Sequence, residues 1–209
     1  MQWILIWSLA AYLLGAIPVA WCVGRLNGID IRQVGSGNVG ATNVFRTLGK
    51  GWGILTFATD VAKGVVPASL FPLWSPETAP ANLALWYGAL AVVGHNWPVY
   101  LRFKGGKGVA TSAGVLLAVA PLAVGLGLAS WVILFLALRY VSVASIGAAL
   151  MVVISGLGFY GVANPVLAGV LLLLGTLVII RHRSNIQRLQ AGTEPRSCLF
   201  KSDKKESTA

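Results

Sequence analysis

Between residues 3 and 180 the chain is almost continuously apolar, divided into stretches near the ~20 residues that a helix needs to cross a bilayer. Three polar islands interrupt it: VGSGNVGATNVFRTLGK at residues 34–50, KGGKGVATSAG from Lys104, and RHRSNIQRLQAGTE from Arg181. In hydrocarbon each backbone N–H and C=O must find its partner inside the protein. Irregular glycine-rich segments therefore persist only at the water interface or around an enclosed site. The fold is confined to a helical bundle, and the chemistry to the islands.

A hydrophobic fraction of 56%, a charged fraction of 11% and a mean hydropathy of +0.77 over 209 residues exclude a soluble globular domain. The expected fold is an all-α integral membrane protein, with residues 1–196 as a single polytopic domain. Residues 197–209 read as a polar, disordered cytoplasmic tail. Cys22 and Cys198 show neither metal-ligand spacing nor a disulfide framework. The N-terminus lacks a basic n-region and an A-x-A cleavage site, and reads as a retained first span.

Five spans are evident at about residues 3–23, 52–74, 81–101, 142–161 and 162–180. Residues 109–138 are too long for one ordinary crossing, and Pro121 offers a break near their middle. Charge selects between one long helix and two short ones, because Lys and Arg gather in cytoplasmic loops. Two crossings give seven transmembrane helices with the N-terminus outside and the C-terminus cytoplasmic. Arg25, Arg32, Arg46, Lys50, Arg102, Lys104, Lys107, Arg139 and the basic stretch from Arg181 then share the inner side. The external turns near residues 75–80, Pro121 and residues 161–164 keep a single charge, Glu77. All three islands thus open to the cytoplasm and can form one site. The net charge of +10 follows from this topology and attracts anionic lipid; it does not signal nucleic acid.

Gly35 to Gly40 match G-x-G-x-x-G formally, but an apolar helix precedes them where a dinucleotide fold requires a strand. Gly106-Lys107 is followed by Gly108 where a P-loop needs Ser or Thr. What remains is glycine-rich backbone flanked by lysines and followed by a helix start, which suits phosphate as well as it suits a tight basic turn. In the first island Ser36, Asn38, Thr42 and Asn43 offer hydrogen bonds, alongside their ordinary capping and turn roles, and Arg46 offers a fork for phosphate. Asp60 and Lys63, at i and i+3, are read first as an ion pair within a span. The imidazoles are His95, beside Asn96, and His182, which shares a helix face with Asn185. No nucleophile–histidine–carboxylate set and no metal cluster emerges, so no metal or cofactor is expected. Trp3, Trp74 and Trp86 on one side and Trp21, Trp52 and Trp97 on the other read as interfacial anchors.

GSGNVGATNVFRTLGK with Asp60 and Lys63-Gly64, GHNWPVYLRFKGGKGVAT, and HRSNIQRLQAGTE resemble, in order and in register, the three signature regions of bacterial acyl-phosphate:glycerol-3-phosphate acyltransferases, the PlsY family. The resemblance implies a seven-span inner-membrane enzyme that transfers a fatty acyl group from acyl phosphate to the 1-hydroxyl of glycerol 3-phosphate. It implies Ser36, Arg46, His182 and Asn185 as catalytic residues. It also implies that Lys104, Gly105, Gly106, Lys107 and Gly108 hold acyl phosphate, with Asn38, Gly40, Thr42, Asn43, Lys63, His95, Asn96 and Thr111 completing the substrate-binding set. The partners expected are the two substrates and membrane lipids, around a monomer without a cofactor.

The H-x-x-x-x-D motif of other glycerol-phosphate acyltransferases is absent: Tyr100 stands five residues after His95 and Gln187 five after His182. The family-level proposal is that the phosphate of glycerol 3-phosphate takes the hydroxyl proton. Ser184 departs from an acidic residue in many relatives, and Glu194 is read as structural. The rival class, a carrier for a phosphorylated metabolite, would call for inverted repeats and midplane polarity, and neither is seen.

Overall fold

The computed structural model describes residues 2–75, 80 and 82–197, and the regular elements among them are all helical. In chain order these are α1 (Gln2–Ala16), α2 (Val19–Leu26), α3 (Ala41–Leu48), α4 (Lys50–Ser69), α5 (Leu83–Asn96), α6 (Val109–Val119), α7 (Pro121–Leu138), α8 (Val141–Gly156), α9 (Pro165–Arg181) and α10 (Arg183–Gln190). A 3-10 turn follows α4 at Phe71–Trp74 and another follows α5 at Val99–Leu101; a π-helical turn, Leu157–Gly161, extends α8. Glu77, Cys198 and the expected tail beyond Ser197 lie outside the described residues.

Proline decides where the helices break. Pro18, with no N–H to give, separates α1 from α2 at a bend of 41°. The carbonyl of Ile17 at this break accepts from the Lys63 ammonium on α4. Pro121 occupies the first turn of α7, where a missing donor costs nothing, and divides residues 109–138 into α6 of 11 residues and α7 of 18. The two helices have different partners: α6 lies against α4 and α5, whereas α7 packs chiefly on α8. Asn164 caps α9 by accepting from Leu167 N at 3.0 Å, and α9 turns by 50° into α10 at His182.

Three segments, Lys50–Trp74, Pro121–Leu138 and Val141–Gly161, are long and apolar enough to cross a bilayer alone, and the bent pairs α1–α2 and α9–α10 qualify as broken crossings. At 14 and 11 residues, α5 and α6 are shorter than an ordinary span. The seven crossings expected from the charge pattern count both. Part of the first island, expected as loop, is helical as α3.

Where lipid surrounds the helices, apolar burial does not drive them together, so close backbone approach carries more of the packing. A Cβ on Gly64 of α4 would stand 2.1 Å from Thr111 O, and one on Gly114 of α6 would stand 2.1 Å from Val61 O. The α1–α5 seam is built alike, from Gly15 against Ala91 O and Gly94 against Tyr12 O. These reciprocal contacts lock α4 to α6 and α1 to α5, and Gly88 of α5 against Val115 of α6 joins the two pairs into one inner group. Leu122, Leu128 and Ile133 of α7 point outward, as a lipid-facing helix requires. The inner group determines where the second island emerges, between the end of α5 and the start of α6.

Candidate active site

The first island is shaped by one buried side chain. Asn43 donates to Ile31 O at 2.9 Å and Val34 O at 3.1 Å and accepts from Ser36 N at 2.9 Å, so its polar atoms are occupied in forming the loop. Gly35 turns past it with φ +59, where a Cβ would meet Asn43 Oδ1 at 2.3 Å. The result is an exposed Ser36 hydroxyl, with Asn38 laid over Gly40 and half-buried Thr42 at the start of α3. Arg46, one helical turn beyond Thr42, is exposed and donates to Pro195 O at 3.3 Å, tying the first island to the third.

The second island joins the other two. Gly105 N donates to Asn96 O at 3.2 Å and Gly106 N to His95 O at 3.1 Å, so these amides close the end of α5. The expected free glycine amides therefore lie further on. Among the described residues no carbonyl accepts from the amides of residues 107–111, the orphan donors at the start of α6. Gly108 reaches them through φ +78, with the amide group of Asn96 2.9 Å from where a Cβ would stand. A Cβ on Gly106 would meet His95 Nε2 at 2.2 Å and Val39 O at 2.8 Å, which seats the first island on this loop.

From the third island Arg181 donates to Gly105 O at 3.0 Å and to Gly106 O through Nε at 3.0 Å and Nη2 at 2.6 Å. Its guanidinium lies 5.6 Å from the Trp97 ring centre. Lys107 Nζ donates to Asn185 Oδ1, and Asn185 Nδ2 donates in turn to Glu194 Oε1 at 2.7 Å. Ser142 Oγ reaches the same oxygen at 2.7 Å, and Arg188 Nε reaches Oε2 at 2.8 Å. Buried Glu194 thus orients Asn185, which presents its carbonyl to Lys107. His182, also buried, has Nδ1 2.8 Å from Val178 O; a carbonyl only accepts, so Nδ1 carries the proton and the neutral ring keeps Nε2 as an acceptor.

Among the described residues the acids are Asp30, Asp60 and Glu194. Asp30 takes Arg32 at 2.6 Å and Arg25 at 3.2 Å; Asp60 takes Lys63 at 2.8 Å, with His95 Nδ1 at 3.6 Å. Arg188, Arg46 and Arg181 lie near enough to Lys107 to act on its charge, and Glu194, paired with Arg188 at 2.8 Å, acts on it with the opposite sign. Burial pushes the Lys107 ammonium down, Glu194 opposes this, and Arg188, Arg46 and Arg181 reinforce it, leaving a pKa of about 8. The arrangement can attract and hold a phosphate dianion beside a helix start.

Of the residues singled out in sequence, Lys107 and Asn185 are in direct contact, with His182 three residues before Asn185, Ser36 on the loop of the first island and Arg46 on α3. Asn43, His95 and Lys63 instead bond or brace protein groups, and the ammonium of Lys63 serves Asp60 and Ile17. Lys104 is exposed at the mouth of the loop. Asn96, Thr111 and Ser112 are buried with side-chain polar atoms that have no partner among the described residues. Arg181 and Ser142 were not among the candidates. Arg181 reads in sequence as one more inner-face charge, and Ser142 carries no signal within an apolar helix.

The chain and its architecture are similar to those of known proteins. A family model described as glycerol-3-phosphate acyltransferase matches residues 5–192. Glycerol-3-phosphate acyltransferases of Trichlorobacter lovleyi and Syntrophotalea carbinolica are 47% and 46% identical, over 91% and 90% of this chain and 95% and 94% of theirs. A crystal structure of PlsY (YgiH), an integral membrane glycerol 3-phosphate acyltransferase in its glycerol 3-phosphate form, superposes with a TM-score of 0.84 at 41% identity, covering 93% of this chain and 95% of that one. Its lysophosphatidic acid form gives 0.81 at 40% identity, over 92% and 94%. With the first two islands and the third as far as Gly192 inside the matched span, and the helical scaffold shared over 93% of the chain, the chain belongs to the glycerol-3-phosphate acyltransferase family.

Proposed function

We propose that this protein transfers a fatty acyl group from acyl phosphate to the 1-hydroxyl of glycerol 3-phosphate, giving 1-acyl-glycerol 3-phosphate and phosphate in phospholipid synthesis. The observation that carries the reading is the meeting of Lys107, Asn185 and the open amides of α6 within a cationic cluster. The phosphoryl group of the donor sits over the α6 N-terminus with Lys107 and Arg46, and His182 and Asn185 receive glycerol 3-phosphate. Ser36, Asn38, Gly40 and Thr42 line the approach from the first island. The hydroxyl oxygen attacks the acyl carbon, the C–O bond to phosphate breaks, and the hydroxyl proton passes to the phosphate of glycerol 3-phosphate. Cations stabilise the oxyanion and the departing phosphate. The protein works as a monomer of seven crossings in a bacterial inner membrane, with its N-terminus outside and its islands in the cytoplasm.

The test is formation of lysophosphatidic acid by purified protein given glycerol 3-phosphate and either acyl phosphate or acyl-CoA. Product from acyl phosphate alone, lost in Arg46→Ala and His182→Ala, is the expected result. Product from acyl-CoA would overturn the donor. Uptake of glycerol 3-phosphate into vesicles without acylation would restore the carrier reading.

A pH profile follows from Lys107. Its charged form binds the anion and disappears above a pKa of about 8, so kcat/KM for the donor falls on the alkaline side of that value. The fall approaches about tenfold per pH unit. Lys107→Arg, permanently charged, moves this limb beyond the measurable range; an unchanged limb in that variant would assign it to another group.

A further inference from the structure

We infer that Arg181 is a positioning residue that maintains the acyl phosphate site by gripping the glycine loop from behind. This rests on the proposed role of that loop. Gly105 and Gly106 carry four backbone polar groups. Their two N–H groups close the end of α5 on Asn96 O and His95 O, and their two carbonyls accept the three bonds from Arg181. With these groups engaged, the peptide planes cannot rotate, and the chain leaves Gly106 in one direction. That direction sets Lys107 against Asn185 and turns the amides of residues 107–111 free of any carbonyl among the described residues.

A guanidinium suits this task and an ammonium does not. Two consecutive carbonyls must be held at once, and only a planar fork reaches both with donors fixed in its own plane. Arg181 is itself held, as the last residue of α9 with its guanidinium over Trp97. Without it, two carbonyl dipoles lose their donors beside a site that must receive an anion. A rotation that turned either one toward the α6 N-terminus would repel phosphate, so Arg181 both fixes the loop and shields its negative ends.

The experiment compares Arg181→Lys, Arg181→Gln and Arg181→Ala with wild type in steady-state acylation, and follows hydrogen exchange in the peptide containing Gly105 and Gly106. Expected are a KM for acyl phosphate raised roughly ten- to a hundredfold in all three variants, as for lost hydrogen bonds to a charged group, and a KM for glycerol 3-phosphate changed less than about twofold. The thermal midpoint stays near wild type, the Gly105–Gly106 peptide exchanges faster, and free guanidinium restores part of the activity of Arg181→Ala. Wild-type kinetics in Arg181→Lys would overturn the proposal, because charge alone would then suffice. So would unchanged exchange in the loop peptide, or lost activity explained by a lowered thermal midpoint with both KM values intact. A rise confined to KM for glycerol 3-phosphate, with faster loop exchange, would support the brace and overturn the assignment of the loop's ligand. Wild-type protein inactive with acyl phosphate would sink the donor reading alone, since exchange and guanidinium-dependent loop protection still report on the brace.

Discussion

Lys107→Met is expected to lower kcat/KM by about 10²–10³, the usual loss when one preorganised donor to a developing anion is removed. The effect is large because Lys107 acts twice. Its ammonium donates to Asn185 Oδ1 and adds positive charge on the residue whose own amide is among the open donors before α6. Methionine keeps the apolar stem, so packing around the half-buried side chain survives and the thermal midpoint moves little. Lys107→Arg retains charge with a different shape and falls between the two. Activity within about fivefold of wild type in Lys107→Met would show that the α6 amides and the arginines hold phosphate without the lysine.

Much of this site could be read in the chain, because hydrocarbon penalises what function requires. Polar islands stand out against an apolar background, and the positive-inside pattern puts them on one side. The break at Pro121 was legible for the same reason: one proline in a stretch too long for one helix. Pro18 was not read as a break, because the residues around it are uniformly apolar and the orphan carbonyl it creates is satisfied from α4, 46 residues away in sequence. The seams of Gly64 with Gly114 and Gly15 with Gly94 were also hidden. Each glycine is unremarkable until the facing backbone is known.

Within the site, side-chain chemistry was legible and backbone bonding was not. Lys107, Asn185, His182 and Arg46 are residue types rarely kept beside hydrocarbon without a purpose. The glycine loop was expected to bind an anion through its glycine amides, yet the Gly105 and Gly106 amides bond α5 and the open donors begin at residue 107. The bonds run from backbone to backbone, so sequence carries no trace of the division; glycine is needed there for space, since a Cβ on Gly105 would stand 2.2 Å from His95 O and one on Gly106 2.2 Å from His95 Nε2. Asn43 shows the converse. Its amide suggested a ligand contact, but three backbone groups of its own loop occupy it.

Glu194→Ala is expected to abolish activity and also to lower the thermal midpoint, which separates it from Lys107→Met. The carboxylate receives Ser142 from the start of α8, Asn185 and Arg188 from α10, and lies in the segment whose Pro195 carbonyl accepts from Arg46. Removing it leaves a guanidinium, a hydroxyl and an amide without their acceptor, and breaking a buried pair from one side costs about 3–5 kcal/mol. Arg188 is one-third exposed, so water recovers part of its share. Asn185, no longer held through Nδ2, can flip and turn its NH₂ toward Lys107. Glu194→Gln keeps the shape but places an NH₂ where one oxygen accepted, and should lie between wild type and alanine in both activity and midpoint. Burial acts to raise the carboxyl's pKa, and the donors from Asn185, Ser142 and Arg188 outweigh it to hold the group below its ordinary 4.5. Its contribution to stability is therefore present above the unfolded value and lost as pH falls through the folded one, so wild type should lose stability below about pH 4.5 while Glu194→Gln lacks that component. A Glu194→Ala protein that melts with wild type and retains acylation would remove the carboxylate from both roles and leave Lys107 to orient Asn185 unaided.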